Sequence, residues 1–243
     1  MNIAFVLSYT GTNFHGWQKQ KNASTIQETL EQAVFRVTGQ RVSISGCGRT
    51  DAGVHARVYV ANCRLETTVP VDRLPFALNF HLPDDICVRT VRKASDRFHS
   101  RYNAVGKTYC YTCYIGSTKP VFDRKYVYVL EEKPDVGRMQ KAAELLTGTH
   151  DFASFCANKK KKKSTVRTVD KIDIIVEGEY LKFIFHGDGF LHHMVRILVG
   201  TLLEVGWSRR SAESMKELLE IQERARAGFT VPAQGLCMMR VDY

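Results

Sequence analysis

No uncharged run in this sequence reaches the ~20 residues of a membrane-spanning helix, and Met1-Asn2-Ile3-Ala4-Phe5 lacks the basic and apolar regions of a secretory signal. A cytoplasmic protein with no membrane partner is expected. Acidic residues are in deficit: 25 Asp and Glu stand against 35 Lys and Arg, a formal charge of +10. Such an excess suits a polyanionic partner, nucleic acid above all. Regular cysteine spacing is missing as well. The seven cysteines are odd in number and scattered, which argues against a disulfide framework and fits free thiols in a reducing compartment. Their one close pair, Cys110 and Cys113, falls in the alternating run from Lys107 to Tyr114. Side chains three apart on a strand face opposite ways, so the pair does not share a metal. Low complexity is confined to Lys159-Lys160-Lys161-Lys162-Lys163. Five adjacent ammonium groups repel one another and predict an exposed loop, either a solubilising tract or one in contact with phosphate.

What is present suffices for a substantial core, with 44% hydrophobic and 25% charged residues over 243 positions. Asn2 to Tyr9 is apolar on both faces and predicts a strand well inside a sheet. Thr25-Ile26-Gln27-Glu28 has the form of a capping box, and Ile26, Leu30, Val34 and Val37 follow at helical spacing until Gly39. Strands at 41–46 and 57–65, a short helix between Pro70 and Pro83, and a strand from Ile86 to Ala94 complete a β-α-β-β-α-β order, the split βαβ pattern. The second half repeats this loosely. Strands at 107–115 and 125–130 precede a helix capped by Asp135 and ended by Gly148. A hairpin of 169–176 and 180–186 turns at Gly178, helices cover 190–205 and 208–226, and Leu236 to Asp242 closes the chain as a strand. The fold class is α+β with two pseudo-repeated halves, residues 1–103 and 104–243.

One stretch organises the whole: Gly46-Cys47-Gly48-Arg49-Thr50-Asp51-Ala52-Gly53-Val54-His55-Ala56. Its glycines rule out regular helix or strand and predict a loop displayed at a sheet edge. The residues alone leave two readings of Asp51, a reactive carboxylate or the Asx-turn common in such loops. Gly48 to Ala56 resembles the signature of the tRNA pseudouridine synthase A (TruA) family, in which the Asp is the nucleophile. That resemblance implies two halves whose antiparallel or mixed sheets join around a basic central cleft. It further implies an isomerase that converts uridine to pseudouridine in the anticodon arm of tRNA, at positions 38, 39 and 40.

Other tracts extend the likeness. Leu191, Val195, Leu198 and Leu202 form the stripe of a core helix, in which Arg196 needs an anion or a route to water. Gly189-Phe190-Leu191-His192-His193-Met194-Val195-Arg196 is similar to the family motif that supplies the Arg paired with the Asp. On that resemblance Arg196 keeps Asp51 ionised and aimed. His192-His193 invites a metal reading, but helical neighbours diverge by a quarter-turn and no Glu follows at zincin spacing. Lys107, Tyr109 and Tyr111 share a strand face, either ordinary sheet or a basic and aromatic platform. The run from Lys107 to Tyr111 resembles the family's basic-x-Tyr-x-Tyr motif, whose first Tyr packs against the target base, so Tyr109 takes that place beside Lys107. The family's Gly-Leu pair corresponds to Gly235-Leu236, with Leu236 an apolar wall under the uracil. Arg49 is the candidate intruder into the space a flipped uridine vacates. Trp17, in the loop Gly11 to Gln18, serves packing or base stacking, packing being the more frequent use.

The implied reaction needs neither metal nor cofactor. The partners implied are tRNA and, since an L-shaped substrate outreaches a chain of this size, a second copy in a homodimer. A non-catalytic RNA-binding module is the competing class, yet an acid at the heart of a positive groove would only repel phosphate. A metal-dependent hydrolase built on His192 and His193 lacks a carboxylate ligand set. The Lys159–Lys163 run and the Lys107-Thr108-Tyr109 form depart from the frequent family pattern and leave room for a shifted choice of uridine.

Overall fold

Thr25 opens the first helix as its sequence requires. Its hydroxyl accepts the Glu28 N–H at 3.4 Å, and Gly39, at φ 71, closes α1 (Ile26–Thr38) with its N–H on the Phe35 carbonyl at 2.8 Å. The Glu28 carboxylate pairs with Lys19 at 3.2 Å. Ile26, Leu30 and Val34 are fully buried while Val37 is half-buried, so the predicted stripe faces the core.

The computed structural model describes residues 1–158 and 164–243; the lysine run at 159–163 lies outside them. The chain divides into two units, Met1–Val105 with Cys237–Tyr243, and Gly106–Leu236. The last seven residues thus belong with the first unit, whereas their position in the chain assigns them to a second half of 104–243.

In the first unit β1 (Asn2–Tyr9) lies between β3 (His55–Arg64) and β4 (Ile86–Lys93), antiparallel to both. Ile3, Phe5 and Leu7 sit opposite Cys63, Ala61 and Tyr59, and all are buried on one face. The central place of β1 explains why it is apolar on both sides. β10 (Leu236–Asp242) pairs with the start of β3 in parallel, Cys237 opposite His55 and Met238 opposite Ala56. α2 (Leu74–Asn79) packs on β4. The strand expected at 41–46 shrinks to β2 (Ser45–Gly46). Its earlier residues leave the ladder, the Ile44 N–H turning to the Glu31 carboxylate at 3.0 Å.

The second unit is built on β5 (Gly106–Tyr114), β9 (Tyr180–Gly187), β8 (Val166–Glu177) and β7 (Gly148–Asp151), paired antiparallel in that order, with β6 (Tyr128–Val129) parallel to β5. β6 is two residues long where a strand over 125–130 was expected. The β8–β9 hairpin turns at Gly178, φ 59, as expected. Asp135 caps α3 (Val136–Glu144) through the Arg138 N–H at 3.0 Å, and α3 packs on α4 (Met194–Gly206). The helices predicted over 190–205 and 208–226 are shorter. α4 begins only at Met194 because His193 is left-handed at φ 61. Ser208 at φ 59 and Gln222 at φ 56 confine α5 to Ser214–Ile221, followed by a 3-10 turn at Arg224–Arg226. Hydrophobic periodicity continues through such residues, and this is why it overruns the helix ends.

Cys110 is half-buried and Cys113 buried, in line with opposite faces of β5, and none of the seven cysteines, all of them described residues, is in a disulfide. Burial, with help from the Glu31 charge, pushes the Cys63 thiol up to about 12. Among the described residues no helix is long and apolar enough to cross a membrane.

Candidate active site

The loop from Cys47 to Val54 in the first unit is held by main-chain and aromatic contacts on every side. Cys47 donates its N–H to the Val60 carbonyl at 2.8 Å, and the Tyr59 hydroxyl donates to the Gly48 carbonyl. Trp17 stacks on Tyr59 with ring centres 4.3 Å apart, and Tyr9 leans on the same ring at 5.5 Å. Gly46 lies so close to these rings that a Cβ would come 2.6 Å from the Trp17 indole. The Thr50 carbonyl accepts the Trp17 N–H at 3.2 Å, and its hydroxyl meets the Tyr9 hydroxyl at 2.9 Å, both side chains being buried. Fixing the carbonyls of Gly48 and Thr50 fixes the backbone on both sides of Arg49, whose side chain is left exposed.

Asp51 follows directly and is half-buried. The Val54 N–H returns to the Asp51 carbonyl at 3.2 Å and Gly53 stands at φ 79, so Asp51 to Val54 forms a type II turn whose third position requires glycine. The Gly53 N–H donates to Phe14 at 3.2 Å, and the buried His55 ring accepts the Gly11 N–H at Nδ1, 3.0 Å away. The tract Gly11 to Gln18 is therefore the cradle of the signature loop. Of the two uses open to Trp17, packing is the one found, since only 2% of it is exposed.

In the second unit Tyr109 and Tyr111 alternate with Thr108 and Cys110 along β5. Tyr109 is 8% exposed and meets Phe190 edge to face, with centres 5.2 Å apart. Lys107, two residues earlier, is half-buried. Tyr111 is fully buried, and its hydroxyl donates to the Pro232 carbonyl at 2.8 Å. Burial holds that hydroxyl well above the usual tyrosine range, against the opposing pull of Arg196, so it stays a neutral donor. Arg196 projects from the first turn of α4, half-buried, and its Nε donates to the Val231 carbonyl at 2.8 Å. Two consecutive carbonyls, of Val231 and Pro232, are thus gripped by Arg196 and Tyr111, which anchors the segment ending at the buried Leu236. Sequence reasoning did not single out Tyr111 for this; its place two residues from Tyr109 was the only signal.

His192 and His193 do not lie on the helix expected over 190–205. They precede α4 in a turn closed by the Met194 N–H on the Leu191 carbonyl at 3.0 Å, and their rings lie 3.9 Å apart instead of diverging by a helical quarter-turn.

A family model described as tRNA pseudouridine synthase matches residues 6–103 and 142–243. The chain belongs to that family. Arg49, Asp51, Arg196 and Leu236 fall inside the matched spans, whereas Lys107 and Tyr109 lie between them. The tRNA pseudouridine synthase A of Clostridium kluyveri is 44% identical over 242 residues, covering 100% of this chain and 99% of that protein. The proteins of that name from Acetivibrio thermocellus and Clostridium acetobutylicum are 43% and 42% identical, each over 242 residues, with the same coverage. Members of the family are isomerases that convert uridine to pseudouridine in tRNA.

Proposed function

We propose that this enzyme isomerises uridine to pseudouridine in the anticodon stem-loop of tRNA, at positions 38, 39 and 40, with Asp51 as nucleophile. Breaking the C1′–N1 bond and forming C1′–C5 moves one proton from C5 to solvent or a base and returns one to N1, so the reaction balances without oxidant or cofactor. Such chemistry asks for a carboxylate fixed in space, a partner that keeps it ionised, and a pocket that retains the detached uracil. The observation that carries the reading is the clamped turn at Asp51, pinned through Thr50, Val54 and Gly53. A bare RNA-binding surface has no use for a rigidly presented acid. In this reading Arg196 is the cationic partner of Asp51, Tyr109 lies against the uracil with Lys107 beside it, Leu236 forms the apolar wall, and Arg49 fills the space left by the flipped nucleotide.

The enzyme acts in the cytoplasm, as a homodimer in which one copy grips the tRNA body while the other holds the target. Carbodiimide treatment and primer extension on tRNA incubated with the protein tests the site choice, with stops expected at positions 38 to 40. Stops elsewhere would overturn the position assignment. Light scattering on the same sample is expected to give twice the chain mass of 27.6 kDa, and a fully active monomer would remove the dimer from the reading.

Tyr109 offers a sharper division between holding and chemistry. Tyr109→Ala should lose the stacking face, worth ~1–3 kcal/mol per base, and turnover should fall by one to two orders of magnitude, roughly the factor those energies imply. Tyr109→Phe keeps the ring and its edge contact with Phe190. If the hydroxyl also relays the C5 proton, Phe is clearly impaired, RNA binding is retained, and 5-deuterated uridine gives a primary isotope effect. Wild-type turnover by both variants, measured well below their unfolding temperatures, would return Tyr109 to ordinary sheet.

A further inference from the structure

A second cluster in the first unit is cationic and lies where β2 meets β3, ahead of the signature loop. Gln40, Arg41, Val42, Ser43, Ser45, Asn62, Cys63 and Arg64 line an open cavity of about 550 Å³, and no carboxylate is among them. Its floor is rigid. Asn62 donates to the Asn2 side chain at 3.0 Å and accepts the Ser100 N–H at 2.9 Å, while the Ser100 hydroxyl donates to the Ser45 carbonyl at 2.8 Å. The Cys63 thiol stays neutral there. The nearby Glu31 carboxylate is committed to the Ile44 N–H and to the Gln27 amide, each at 3.0 Å.

Arg41 and Arg64 are both exposed, and among the described residues neither has an ion-pair partner. Arg41 is nevertheless placed, its guanidinium lying 5.0 Å from the centre of the Phe35 ring. A cation held on an aromatic face has already lost part of its side-chain freedom, which lowers the entropic cost of binding an anion. Two exposed guanidinium groups at a hollow with no carboxylate in its lining match a phosphodiester.

We propose that this cavity is a tRNA-backbone site in which Arg41 and Arg64 hold phosphate remote from the target uridine. Arg64 lies nine residues along β3 from His55, about 30 Å at ~3.3 Å per residue. The phosphate it contacts is therefore not that of the nucleotide undergoing reaction. The site serves affinity and register on the tRNA body and leaves the chemical step alone. This assignment rests on tRNA being the substrate.

The test uses full-length tRNA with Arg41→Gln, Arg64→Gln and the double variant, measuring Kd across a salt series and single-turnover rate at saturating enzyme. Each phosphate contact removed should reduce the slope of log K against log salt by about 1, and each single variant should bind about three- to tenfold more weakly at low salt. The saturating rate should remain that of the wild type. Arg64→Lys should restore the slope, and Phe35→Leu, which frees Arg41, should weaken binding by less than Arg41→Gln. An unchanged slope in a folded, active double variant overturns the site while leaving the isomerase reading intact. Wild-type protein that makes no pseudouridine in tRNA overturns that reading instead. A double variant that loses its dimeric mass with an unaltered slope would make the cavity an interface between copies and would also overturn the proposal.

Discussion

Asp51→Asn is expected to abolish isomerisation while tRNA binding survives. The amide has the shape of the carboxylate, and the turn that presents it depends on the Asp51 main-chain carbonyl, which the substitution leaves in place. What disappears is the negative oxygen that attacks, and loss of a nucleophile costs on the order of 10⁴-fold or more in rate. Asp51→Ala should behave alike. Affinity should stay within about threefold of wild type or rise slightly, because an acid removed from a phosphate-binding surface removes repulsion. Single-turnover assays with excess enzyme, alongside filter binding and a thermal melt, separate the three quantities. Turnover by Asp51→Asn within a hundredfold of wild type, in material free of wild-type enzyme, would take the nucleophile role from Asp51.

Gly16→Ala is expected to cripple the same loop without touching the acid. Gly16 stands at φ 83, and a Cβ there would overlap the Thr50 carbonyl oxygen and lie 3.1 Å from the Asp51 carbonyl carbon. The obstacle is the backbone of the signature loop itself, so no side chain can rotate out of the way. The loop must shift, and the Trp17 N–H bond to Thr50 goes with it. Left-handed strain of ~1–3 kcal/mol plus a lost hydrogen bond of ~1 kcal/mol should lower Tm by roughly 5–15 °C in a chain of this size. Displacing the carboxylate by about 1 Å should cost about 10²-fold in kcat. Gly39→Ala is the control, since Gly39 shares the left-handed backbone at φ 71 but a Cβ there meets nothing within 4 Å. It should lose stability and keep activity. Equal losses of activity in the two variants would show that general destabilisation, not loop position, explains Gly16.

Much of this was legible in the chain because it is local. The Thr25 cap, the Gly39 stop, the Gly178 turn and the two-faced apolar pattern of β1 all depend on neighbours a few positions away, and the structure places them as read. The errors occur where a single backbone choice interrupts a pattern. Ile44 bonds to a side chain instead of a strand, and His193, Ser208 and Gln222 adopt left-handed conformations that their side chains do not announce. The misplacement of His192 and His193 follows from the same cause, for a helix drawn three or four residues too early turns adjacent rings apart.

By itself the sequence determined the class of fold, the family, and the chemical types gathered in Gly48 to Ala56 and Gly189 to Arg196, because these are carried by contiguous residues. Only the tertiary structure decided that Tyr9, Trp17 and Tyr59 form the bed of the Asp51 loop, and that Arg196 and Tyr111 grip consecutive carbonyls before Leu236. It also placed the final strand parallel to the start of β3, Cys237 beside His55 across most of the chain's length. Local periodicity carries no record of such pairings. The entropy of closing a long loop grows only slowly with its length, so distant segments meet at little extra cost, and their register is set by complementary side chains from both.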